Sequence, residues 1–89
     1  MKIKLELFGA SRDFSNKDHI EFQIKEKTEI KDFRKEIIGY LEKNFKGNEN
    51  FKKIVATSAF CSEDNNIVSD DFKIIKDQKI GIIPPIGGG

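Results

Sequence analysis

The stretch of this chain best suited to reaction chemistry has almost no side chains. Ile82-Ile83-Pro84-Pro85-Ile86-Gly87-Gly88-Gly89 sets two residues of fixed φ after an apolar pair, then three glycines, then a carboxylate. Proline cannot donate to a sheet ladder, so the pair ends strand pairing and holds a stiff, extended exit. The glycines form a thread thin enough for a narrow channel, and three extended residues reach about 10 Å. What such an ending can do is present the Gly89 carboxylate inside another protein's site, where no Cβ hinders attack on its carbonyl. A Gly-rich terminus alone is often just frayed. Its conjunction with the prolines and a final strand favours a working tail.

Other reactive residue types offer little. His19 is the only histidine and falls on a polar strand face, where a solvated ring is the expected state. Cys61 is the only cysteine: it cannot form an intramolecular bridge, belongs to no CxxC pair or zinc set, and has no activating base beside it in sequence. The sequence contains no HExxH, GxSxG, P-loop or dinucleotide-binding glycine motif. Self-contained catalysis and a metal site are therefore not expected. A reducing compartment suits the cysteine usage. The N-terminal Met1-Lys2-Ile3-Lys4-Leu5-Glu6, whose charges break every apolar run, gives the expectation of a cytoplasmic chain with no signal peptide and no membrane span. Sixteen Lys plus Arg against fifteen Asp plus Glu leave a formal charge of +1, too little to steer nucleic acid. Along 25–43 basic and acidic residues alternate, as on a solvated helix face.

The tail needs a body to launch it. At 89 residues the chain has room for one domain, expected to span 1–89 with 84–89 as an extended flexible tail. A charged fraction of 35% is offset by eight Phe and many regularly spaced Ile, so a folded core is expected. Ile3, Leu5 and Leu7 alternate with Lys2, Lys4 and Glu6, predicting a first strand over 1–8. A loop through Asp18 follows, with Phe14 as its anchor. Ile20, Phe22 and Ile24 alternate with polar residues in a second strand, antiparallel to the first. Thr28 is the predicted N-cap of a helix whose stripe runs Ile30, Phe33, Ile37, Leu41 and Phe45, widened by Ile38 and Tyr40. Gly39 within it predicts close packing against a strand or a local weakness. Residues 47–50 should end the helix, and Lys53–Phe60, rich in β-branched and small residues, is predicted as a third strand. After an acidic turn at 62–66, Ile67-Val68 reads as a short edge element, 72–75 as an apolar patch and Lys79–Ile83 as the last strand. The order predicts an α+β, β-grasp architecture: a mixed, mostly antiparallel sheet with one main helix on one face.

With these elements in place the chain resembles the molybdopterin synthase small subunit (MoaD) family of ubiquitin-like sulfur carriers. The resemblance spans nearly the whole chain. It rests on Leu7-Phe8-Gly9-Ala10-Ser11-Arg12-Asp13, which looks like the family's Phe-Ala-x-x-Arg-Glu region, and more specifically on Pro84-Pro85-Ile86-Gly87-Gly88-Gly89, which looks like its Pro-Pro-Val-x-Gly-Gly ending. The chain departs from the family at Lys76-Asp77-Gln78-Lys79, where an acidic turn is common, at Thr57-Ser58, and in a longer 62–71 connector.

The resemblance implies that an ATP-dependent, MoeB-like adenylating enzyme activates the Gly89 carboxylate, and that a sulfur donor converts it to a thiocarboxylate. The molybdopterin synthase large subunit would accept the tail, in a heterotetramer, and cyclic pyranopterin monophosphate would take the sulfur. No cofactor is expected on this chain, which would be a non-catalytic subunit. Phe8, Ile83, Pro84, Pro85, Ile86, Gly87 and Gly88 are the expected partner-binding residues, with Phe8 and Ile83 on the sheet face the helix leaves open. The alternatives are a thiocarboxylate carrier for thiamin, cysteine or tRNA thiolation, a protein modifier joined to lysines through Gly89, and an interaction module whose tail does nothing.

Overall fold

A computed structural model describes residues 1–85 of the chain. Ile86, Gly87 and Gly88, expected to bind a partner, and Gly89, expected to carry sulfur, lie outside the described residues.

Strand β1 (Lys2–Leu7) buries Ile3, Leu5 and Leu7 and exposes Lys2 and Lys4, as period-2 alternation dictates. It pairs antiparallel with β2 (His19–Gln23), Leu5 facing Ile20. Two-residue β3 (Thr28–Glu29) leads into α1 (Ile30–Phe45), whose Ile30, Phe33, Ile37 and Leu41 are fully buried. Helix α2 (Glu49–Thr57), then β4 (Ala59–Cys61), β5 (Ile67–Val68) and β6 (Lys73–Ile74) precede β7 (Gln78–Ile83). The five-stranded sheet has the order β2-β1-β7-β4-β5, and β3 pairs with β6 in a separate ribbon. β7 runs parallel to β1 and antiparallel to β4, so the last strand lies at the centre. This is the β-grasp, ubiquitin-like arrangement.

Several sequence expectations are corrected. Lys53–Thr57 is helical, not strand, and β4 starts only at Ala59. Asn48 caps α2 by accepting the Phe51 N–H at 3.1 Å. Phe51, Ile54 and Val55 then fall at helical spacing against the core, Val55 fully buried. Thr28 is not the cap of α1: Glu29 holds that position without a side-chain bond, while the Thr28 hydroxyl donates to the Lys25 carbonyl at 2.7 Å. A carbonyl that receives a hydroxyl three residues on closes a turn, and the freed Thr28 backbone pairs with Ile74 instead. Gly39 packs against no strand; a Cβ there would meet nothing within 4 Å. The loop after β1 is ordered as a 3₁₀ segment, Gly9–Phe14, with Phe14 completely buried as the expected anchor.

Helix α2, β4 and the connector meet at one side chain. The Arg34 guanidinium donates to the carbonyls of Val55 (2.7 Å) and Ser58 (2.8 Å), pairs with Asp70 (2.9 Å), and lies 4.7 Å over the Phe60 ring. The α2 C-terminal carbonyls thereby gain a cation, as the helix dipole favours.

Candidate functional site

In a strand, alternate residues take opposite faces, and directly paired residues share one. Ile80 and Ile82 of β7 are completely buried beneath the helices, together with their partners Leu5, Leu7 and Phe60. Lys79, Gly81 and Ile83 therefore face the other way. Across this uncovered face one row runs His19, Glu6, Gly81, Cys61, Ile67, and the next pairs Ile83 with Ala59.

The two ends of the face differ chemically. Toward the start of β1, Lys2 pairs with Glu21 (3.8 Å) and Lys79 with Glu6 (3.6 Å). Toward the end of β7 the groups are apolar: Phe8 is 40% exposed, Ile67 is 65% exposed, and Ile83, Ala59 and Cys61 are half-buried. Gly81 is the low point between them. A Cβ there would lie 2.7 Å from the Cys61 Sγ and 3.1 Å from the Phe8 ring, so the glycine lets thiol and ring close over the strand. The result is a shallow apolar platform bordered by ion pairs, the composition usual for a docking surface.

The tail leaves from the edge of this platform. β7 stays paired to Ile83, opposite Ala59, and Pro84 is buried. The Pro84 ring lies over Gly9, where a Cβ would stand 3.9 Å from its Cδ; Gly9 has a φ of +56°. The turn beneath is held by buried Ser11, whose hydroxyl donates to the Phe8 carbonyl (2.6 Å) and accepts the Phe8 N–H (2.9 Å). Pro85, the next residue, is exposed.

Of the expected binding residues, Phe8 and Ile83 do sit on the uncovered side, and Pro84 and Pro85 follow at once. Gly81, Cys61, Gly9 and Ser11 had been given no role there. His19 is removed from the platform: its Nδ1 lies 2.8 Å from Asp18, a hydrogen bond that holds the Asp18 carboxyl below its ordinary pKa. The Lys76–Lys79 turn, which departs from the resembled family, braces the strand starts: Asp77 accepts the Lys2 N–H (2.8 Å), and Glu63 accepts the Lys79 N–H (3.3 Å). Among the described residues no group of three His, Cys, Asp or Glu side chains could hold a metal, and no helix is long and apolar enough to cross a membrane.

No protein-family model matches this chain, and no curated protein does. Solved structures do match. A Pyrococcus furiosus protein assigned as a molybdopterin converting factor, subunit 1, superposes with a TM-score of 0.69 at 22% identity, over 96% of this chain and 98% of that one. SAMP1 from Haloferax volcanii superposes with a TM-score of 0.70 at 12% identity over the whole of both chains. At such identities the likeness establishes the fold alone.

Proposed function

We propose that this chain is a sulfur carrier that works through a thiocarboxylate on Gly89, delivering sulfur to cyclic pyranopterin monophosphate in the active site of a molybdopterin synthase large subunit. The observation that carries this reading is the junction at Ile83. The last strand ends there on an apolar, uncovered face, and the sequence continues directly into Pro-Pro-Ile-Gly-Gly-Gly. A partner seated on the platform of Phe8, Gly81, Cys61 and Ile83 would have the tail beginning at its own rim. The likeness to the Pyrococcus furiosus factor lends the fold such a carrier needs.

The division of labour follows from the residues. On this reading, chemistry at the tip falls to partners. An ATP-dependent, MoeB-like adenylating enzyme joins the Gly89 carboxylate to AMP, releasing pyrophosphate. Sulfide displaces AMP and leaves the thiocarboxylate; its sulfur bonds to the pterin precursor, and water then cleaves the acyl–sulfur bond and returns the Gly89 carboxylate. The body supplies docking, and the tail supplies reach. With Pro84 seated, five residues from Pro85 to Gly89 can span roughly 17 Å when extended.

Intact mass after incubation with the adenylating enzyme, ATP and a sulfide source tests the first half; the expected result is one oxygen replaced by sulfur. Addition of the large subunit and the pterin precursor tests the second, with product formed and the carboxylate regenerated. A thiocarboxylate that forms but is consumed only by a thiazole synthase, a cysteine synthase or a tRNA-thiolating enzyme would move the chain to one of those pathways. Isopeptide conjugates through lysine would make it a modifier.

A further inference from the structure

We infer that the turn Phe8–Ser11 is a seat for Pro84, which makes Gly9 and Ser11 positioning residues for the carrier tip although both lie far from it in sequence. The inference rests on the carrier reading above. Three features of the turn converge. Gly9, at φ +56°, adopts a backbone that residues with a Cβ rarely take, and the Pro84 ring neighbours it, with Cδ and Cγ 3.9 and 4.0 Å from where a Cβ would stand. Ser11, completely buried, spends both its donor and its acceptor on the backbone of Phe8, fixing the turn from below. Phe8 in turn covers Gly81, two residues before Ile83. The end of β7 is thus held from the side by a segment near the start of the chain, in addition to its ladder bonds.

The seat decides where the arm begins. With Pro84 held, the free arm starts at Pro85; with it released, Pro84 and the end of β7 can join the arm, each added residue lengthening it by about 3.5 Å. Displacements of about 1 Å can already cost a hundredfold in positioned chemistry, so a lost seat should lower turnover even where docking on the platform is intact.

Two kinds of variant separate this from a merely structural role. Gly9→Val cannot easily hold φ +56°, whereas Gly9→Asn tolerates it and its Cβ finds ordinary contact distance to Pro84. Pro84→Ala removes the seated ring itself and remains informative if Gly9→Val fails to fold. Amide hydrogen exchange is expected to quicken about tenfold at Ile82 and Ile83 in Gly9→Val and Pro84→Ala, with Ile80 unchanged, and to return to the wild-type rate in Gly9→Asn. In the same variants kcat for sulfur transfer should fall about tenfold, in Gly9→Val with the large-subunit KM within about twofold of wild type, and Gly9→Asn should keep the wild-type kcat. Exchange that rises uniformly along β7 would reduce the turn to general stability and overturn the inference. Local exchange with unchanged kcat would overturn it too, if deleting Gly89 abolishes transfer in the same assay. Transfer that survives Gly89 deletion would instead sink the carrier reading, and with it the seat's role in transfer.

Discussion

The two faces of the five-stranded sheet are built from the same strands yet answer to different demands. Beneath the helices, Leu5, Leu7, Phe60, Ile80 and Ile82 are completely buried with Phe33, Ile37 and Leu41, and the Phe33 and Phe60 ring centroids lie 6.2 Å apart. On the other side, the same β7 presents Lys79, Gly81 and Ile83 to a platform with no helix over it. Burial of large side chains makes the first face the source of stability, at roughly 25 cal/mol per Å² of apolar surface. The second face keeps apolar groups half-wet, which costs little alone and yields binding energy when a partner covers them. One residue's shift along β7 separates a core position from one on the uncovered face.

That contrast can be broken at several points. The largest effect is expected at Gly89. Deleting Gly89, or adding a residue after it, should abolish product formation with the large subunit while the unfolding midpoint stays unchanged, as intact mass and product assays would record. The shift of about 3.5 Å exceeds what positioned chemistry tolerates. Full activity in either variant would remove the carrier reading. On the covered face, Phe60→Ala should cost about 3 to 5 kcal/mol in urea denaturation, because it empties core volume and strips the ring from under Arg34. Ile83→Asp, on the open face, should leave the circular dichroism spectrum intact and weaken large-subunit binding at least tenfold, or about 1.4 kcal/mol. Unfolding instead would mean that Ile83 belongs with the core.

The smallest effect concerns Asp18 and depends on pH. Its hydrogen bond to His19 holds the folded-state carboxyl below the ordinary carboxylate range. A depressed carboxylate contributes stability above its unfolded pKa and loses it as pH falls through the folded pKa. Asp18 is exposed, so the contribution is small and screened. Asp18→Asn should narrow the stability gap to wild type as pH drops from about 5 to about 2, and a gap that widens in acid would contradict the assignment.

How far all this could be read from sequence depends on the range of the interactions involved. β1, β2, β7 and α1 declared themselves through local periodicity: Ile3-Leu5-Leu7 at two, Ile30-Phe33-Ile37-Leu41 at three and four. Helix α2 did not, because Ile54, Val55 and Thr57 suggest a strand by type, and the opposing signal of the Asn48 cap and the Phe51-Ile54-Val55 spacing spans barely two turns. Packing against α1 and the 3₁₀ segment overrides a weak β preference. At the site, Phe8 and Ile83 were legible as apolar residues out of step with the buried rows. Gly81 against Cys61, and Gly9 under Pro84, were not, because they exist only through the register of β7 between β1 and β4. Thr28 looked like a cap on composition alone, and its hydroxyl had a nearer carbonyl to satisfy.

The central position of β7 also governs the order of assembly. β1 pairs on one side with β2, its neighbour in the chain, but its other edge waits for Gln78–Ile83. During synthesis the β1–β2 hairpin and both helices can emerge while that edge stays open, an arrangement that invites pairing with other chains. Closing the parallel pair spans nearly the whole described chain, so the entropy of that closure must be met before the sheet returns any of its contacts. Refolding should accordingly be slower than for a helical bundle of similar size. Late pairing of β7 also means that Phe8, Gly81, Cys61 and Ile83 come together on the uncovered face in the same step that completes the sheet.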